Sequence, residues 1–72
     1  MRATLPIAPA LGVYDVSGRA MRRWDYGVLP AGRQERAWNA ADGAGRALPN
    51  GVYFLRLETE RERAVHKVLV LR

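Results

Sequence analysis

The stretch Leu48–Thr59, read LPNGVYFLRLET, frames the rest of the chain: after a turn it is the most β-prone run in the sequence, β-branched and aromatic residues without a breaker. Tyr53, Leu55 and Leu57 fall on one face of an extended strand, and Val52, Phe54, Arg56 and Glu58 on the other. The second face ends in charge, so the first is expected to be the core side. Burying its three side chains is worth roughly 1.5–3 kcal/mol each. Pro49, Asn50 and Gly51 read as the turn that leads in, proline fixing φ and Asn/Gly tolerating positive φ.

The same pattern predicts strands elsewhere. Arg2–Leu5 is a short one, stopped by Pro6, and residues 6–10 form a connector restricted by two prolines. Leu11–Val16 is a strand, Ser17-Gly18 a two-residue turn, and Arg19–Trp24 the return strand of a hairpin. Met21 and Trp24 anchor that return strand, and their spacing of three predicts a bulge or twist between them. LPAG (Leu29–Gly32) is a turn. Arg33–Asn39 is a strand in which only Trp38 is a convincing core residue, and residues 40–46 form a loop. The last strand, Glu62–Leu71, follows a link at Glu60-Arg61 and is apolar on both faces: Val68 and Val70 on one, Val65, Leu69 and Leu71 on the other. Such a strand is either covered on both sides or an interaction surface. No stretch has a helical stripe; residues 59–66 are charged without an apolar side. Short strands between Pro/Gly turns argue an all-β fold of sandwich or meander type.

Composition narrows the chemistry. Seventy-two residues make one domain, 1–72, with a small core. There is no cysteine and a single histidine, His66, which excludes disulfides, thiolate metal sites and a one-chain His-based metal cage. His66 reads as a strand residue. Asp15, Asp25 and Ser17 lack a base, so no enzyme activity is expected. Asn39 and Asp42 offer two side-chain oxygen ligands where calcium needs six to eight, so an Asx-stabilised turn is the better reading. The Gly43–Gly45 segment neither follows a strand into a helix nor carries a P-loop lysine. No metal, cofactor or small-molecule substrate is expected.

Net charge is +5 with pI ≈ 10.8, which raises an anionic partner. Eleven of the twelve basic residues are arginine, and no basic tail or block stands apart. Arg22, Arg23, Arg61 and Arg63 with Trp24 and Tyr26 form a candidate basic-aromatic nucleic-acid surface. It is disfavoured, because core aromatics cannot also stack bases and Glu58, Glu60 and Glu62 dilute the second cluster. No apolar run approaches the ~20 residues that span a bilayer. Pro6 and Pro9 interrupt the apolar N-terminus, which argues against a signal peptide and places any export signal upstream.

The ordered series VYDVSGR (Val13–Arg19), LPAG (Leu29–Gly32), Trp38-Asn39, DGAGR (Asp42–Arg46) and LPNGVYFLRL (Leu48–Leu57) resembles the C-terminal Ig-like sorting domains of type IX secreted bacterial proteins. It is also similar to the Ig-like domain of the flagellar hook-capping protein. The resemblance is strongest over residues 11–72 and implies a small Ig-like antiparallel β-sandwich lacking a complete first strand. Three departures accompany it: little strand sequence precedes the first hairpin, Arg36 stands where the pattern has an apolar residue, and the last hairpin lacks a glycine turn. The first leaves two alternatives, a truncated chain or a sheet completed by a partner strand.

The ending HKVLVLR (His66–Arg72) resembles a sorting-domain terminus. The resemblance therefore implies a non-catalytic C-terminal domain of a longer precursor, directing an upstream cargo through the periplasm to the cell surface or medium. Its site residues would be Gly51 and Tyr53 in the G-x-Y strand, with Lys67, Val68, Leu69, Val70, Leu71 and Arg72 as the recognised edge. Tyr53 would build the core, and Lys67 and Arg72 would be read by the secretion machinery. The alternative is a structural Ig-like module of the hook-capping kind, with a neighbouring domain or strand as partner. The third is a small basic nucleic-acid-binding protein.

Overall fold

The computed structural model describes residues 3–30, 32 and 34–72. Arg2 and Arg33, which open two of the expected strands, lie outside them. Among the described residues there are six strands: β1 (Ala3–Pro6), β2 (Ala10–Tyr14), β3 (Ala20–Asp25), β4 (Glu35–Trp38), β5 (Gly51–Glu58) and β6 (Arg63–Val70). All pairings are antiparallel, in a two-stranded sheet β1-β4 and a four-stranded sheet β3-β2-β5-β6.

The alternation in β5 places its residues as expected. Tyr53 and Leu55 are buried and Leu57 half-buried, and they join Leu11 and Val13 of β2 in the core. Leu5 of β1 and Trp38 of β4 close it from the second layer, with Ala40, Leu48 and Val70 at one end. Trp24 of β3 meets Trp38 edge-on, with ring centroids 6.4 Å apart. The bulge also lies where the spacing of Met21 and Trp24 puts it. Val13 pairs with Arg22 and Tyr14 with Ala20, so Met21 has no partner.

Two local expectations are corrected, and two points left open by the sequence are filled in. The β2–β3 connection is a loop from Asp15 to Arg19 rather than a two-residue turn, because the Asp15 carboxylate collects backbone N–H groups and widens it. Val16 consequently leaves the strand and is exposed. Gly51 is the first residue of β5, paired with Val70, rather than part of the preceding turn. The Thr59–Glu62 link closes without glycine, since Thr59 Oγ1 accepts from the Glu62 N–H at 2.9 Å and Thr59 N–H donates to the Glu62 carbonyl at 2.9 Å. Finally, β6 is covered on its inner face at Val68 and Val70 alone among its residues, and its outer face is exposed.

A candidate interaction surface on the terminal strand

Register divides the residues expected to form the recognised edge into two groups. Val68 pairs with Tyr53 and Val70 with Gly51, so both point toward the core; Val70 is buried and Val68 half-buried. Tyr53 is buried with them, and its hydroxyl donates to the Pro49 carbonyl at 2.7 Å, pinning the entry to β5. Lys67 and Leu69 face the opposite way, against Phe54 and Val52, and are exposed. Val65, 57% exposed, and Leu69, 53% exposed, flank Lys67 on this outer face. Leu71 is exposed beyond the strand end.

Arg72 belongs to neither group. Its guanidinium donates to the Leu48 carbonyl and, at 2.8 Å, to the Ala40 carbonyl, while its backbone N–H donates to Asn50 Oδ1 at 3.1 Å. Ala40 is buried in the left-handed conformation (φ 57°), and its carbonyl also accepts from Leu48 N–H at 2.9 Å. The final side chain thus ties the 40–50 loop to the end of β6. Nothing in the sequence pattern signals this contact.

Elsewhere on the outer face, β2 offers Gly12, and the Tyr14 ring lies where a side chain at that position would go. A Cβ built on Gly12 would sit 2.7 Å from Tyr14 Cε1. The Arg56 guanidinium covers the ring at 4.4 Å from its centroid. Arg56 and Arg63 both approach the Glu58 carboxylate, at 3.7 and 3.8 Å, as partly exposed pairs worth under about 1 kcal/mol each.

Arg36 occupies its apolar position without disrupting the packing. Its guanidinium lies 5.1 Å from the Trp24 ring centroid and donates to the Tyr26 hydroxyl at 2.7 Å. Its stem serves as apolar cover while its head stays polar. Arg22 approaches the same indole at 4.6 Å.

The candidate nucleic-acid cluster does not assemble. Arg22 and Arg23 are successive strand residues and point to opposite faces, and Trp24 and Tyr26 pack against the core. Arg63 lies in β6 at the far edge of the sheet from β3, with Arg61 in the link just before it; the edges are three strand spacings apart, about 14 Å. His66 is an exposed β6 residue paired with Leu55. Asp15 and Asp25 lie at opposite ends of the first hairpin, so the Asp15–Ser17–Asp25 combination is not brought together.

Two loops share one design that composition alone passes over. In Asp15-Val16-Ser17-Gly18-Arg19, the aspartate N–H donates to the Arg19 carbonyl at 2.9 Å, and Gly18 N–H to the Asp15 carbonyl at 3.0 Å. Asp15 Oδ1 accepts from the N–H groups of Ser17 and Arg19, each at 2.9 Å. Asp42-Gly43-Ala44-Gly45-Arg46 repeats this bond for bond, with Ala44 and Arg46 as donors to Asp42 Oδ1. Gly18 and Gly45 have φ of 89° and 86°, the left-handed turn that glycine adopts without cost. The repeated D-x-x-G-R string is the signal that reveals the pair. Asp42 is thereby committed to backbone N–H groups, as the Asx-turn reading expects. The Ser17 hydroxyl also donates to Asp15 at 2.6 Å, and this bond, with the N–H of Arg19, holds the Asp15 pKa below its ordinary value.

Two antiparallel sheets enclosing one thin core, with no helix among the described residues, define a small immunoglobulin-like all-β module. The family model of the FlgD Ig-like domain matches residues 8–63, and the chain belongs to that family. No curated protein and no solved structure matches it. Ig-like domains of this family are typically non-catalytic and engage other proteins. Among the described residues, no helix is long and apolar enough to cross a membrane.

Proposed function

We propose that this chain is a non-catalytic structural Ig-like module of the hook-capping kind, which holds neighbouring protein subunits together through surface contacts. The family match over residues 8–63 carries this reading. The exposed outer face of β6, with Val65 and Leu69 around Lys67, adds a surface suited to a protein partner. A photo-crosslinking amino acid placed in turn at Val65, Leu69 and Arg23, in the protein as made by its native host, tests it. Adducts of defined mass with a second protein are expected. Their absence at every position, in a domain shown to be folded, overturns the reading.

The second reading is a C-terminal sorting domain that carries an upstream cargo through the periplasm to the cell surface or medium. The exposure of Lys67, Leu69 and Leu71 favours it. Its test is export of a reporter fused ahead of residues 1–72 in a host with type IX secretion, beside versions carrying Lys67→Glu or Leu71→Glu, both exposed positions that leave the core of β6 in place. Surface reporter that depends on the intact tail establishes sorting. Reporter held in the periplasm in every case, with the domain folded, leaves the structural module.

A further inference from the structure

Among the described residues four strand edges are unpaired, and three carry features that block further pairing. β1 and β4 are four residues each, and β1 ends in Pro6, which has no N–H to offer. β3 carries the bulge at Met21, and Gly43 N–H already donates to the Met21 carbonyl at 3.1 Å, laying the 40–46 loop along that edge. β6 has none of these devices. It is eight residues long, in unbroken register with β5, free of proline and glycine, and exposed at every position but Val68 and Val70. Natural sheets guard such an edge, because its free N–H and C=O groups template another strand. Its guards are two charges on the outer face, Arg63 at its start and Lys67 midway along.

The inner side of β6 is equally bare at its N-terminal half. Ala64 and His66 pair with Leu57 and Leu55, which face the core, yet both are exposed. The reason is the position of the second layer. β4 sits above β3, as the contacts of Trp38 and Arg36 with Trp24 show, so the two-stranded sheet stops short of β6.

We propose that the β6 edge accepts an extended strand of another protein, with a carboxylate opposite Lys67 and apolar side chains opposite Val65 and Leu69. The inference rests on the reading of this chain as a protein-interaction module. Main-chain hydrogen bonds supply the binding and alternate side chains the selectivity, as in strand addition generally. The outer face of β6 reads apolar, basic, apolar, so one partner pattern, apolar-x-acid-x-apolar, fits in either strand direction. On the outer face of β6, Arg63 is already paired with Glu58, while Lys67 has no ion pair among the described residues and the strand carries no carboxylate, which sets the sign of the partner. A second copy is a poor occupant. Two β6 edges would bring like charges together, and none of the seven Asp and Glu residues of this chain has a large apolar residue two places away on both sides.

The test is titration of the isotopically labelled full chain with the blocked peptide Thr-Val-Thr-Glu-Thr-Val-Thr, followed by NMR. Shift changes confined to β6 and its β5 neighbours are expected. Lys67→Glu is expected to weaken binding about tenfold, and a peptide with lysine in place of glutamate to restore it on that variant. Because Lys67 is exposed and makes no hydrogen bond or ion pair among the described residues, the variant folds. Shifts at β1 or β3, equal affinity for all charge combinations, no response at millimolar peptide, or dimerisation through β6 without peptide would each overturn the proposal. Crosslinks from Arg23 with a silent β6 would sink this proposal and leave the module reading standing.

Discussion

Arg72 Nη2 donates to the Ala40 carbonyl at 2.8 Å, joining residues 32 positions apart in sequence. The same guanidinium reaches the Leu48 carbonyl, so one planar head spans both sides of the 40–48 loop. Hydrogen bonds to a charged group are worth about 1.5–3 kcal/mol. Arg72→Ala is therefore expected to lower unfolding free energy by about 2 kcal/mol, read as a shift in urea midpoint at unchanged slope. Arg72→Lys recovers less than half, because an ammonium cannot fork across two carbonyls. An Arg72→Ala midpoint equal to that of the parent would show that the latch contributes nothing.

Tyr53→Phe removes the hydroxyl that donates to the Pro49 carbonyl while keeping the ring in the core. The expected loss is about 1 kcal/mol, and its signature is faster amide exchange at Asn50 and Gly51. Undisturbed exchange at these residues would show that the ring alone positions the turn.

Asp15 titrates below the ordinary aspartate value, chiefly because Ser17 Oγ donates to its carboxylate. Its folded pKa is depressed, so the stability it contributes is present above the unfolded value and is lost as pH falls through the folded one. A carboxyl-carbon NMR titration should place the Asp15 midpoint below that of a model aspartate, and Ser17→Ala should raise it. A midpoint unmoved by Ser17→Ala would contradict this cause.

Gly12→Ala sets two effects against each other. Alanine suits a strand better than glycine by about 0.5–1 kcal/mol, but its Cβ displaces the Tyr14 ring from beneath Arg56. In a Tyr14→Ala background the substitution should stabilise by that amount; in the parent the gain should vanish. A double-mutant cycle that finds the two sites additive would refute the coupling.

The β-sheet core was legible in the sequence where side chains alternate cleanly, as at Tyr53, Leu55 and Leu57, because period two alone assigns their face. The bulge was legible from the spacing of Met21 and Trp24. β4 was legible through Trp38 only, since Arg36 hides an apolar stem behind a charged head and reads as a misfit until Trp24 and Tyr26 are placed beside it. The double apolar pattern of β6 left two outcomes open, and the exposure of Val65 and Leu69 on its outer face decides between them. The Arg72 latch was not legible at all. A side chain bonding to backbone carbonyls leaves no periodic trace, and no other residue type at Ala40 or Leu48 announces it.

The join between β2 and β5 has a further consequence. β1 to β4 lie before the 40–50 loop and β5 and β6 after it, and within the sheets the two sets meet only where β2 pairs with β5. Each set carries its own hairpin, formed from neighbours in sequence, whereas the β2–β5 ladder must close a long loop first and is expected to form after them. A chain severed between Gly43 and Ala44 is therefore expected to give two complementary fragments, each incomplete without the other, whose reassembly across that ladder would serve as a split reporter.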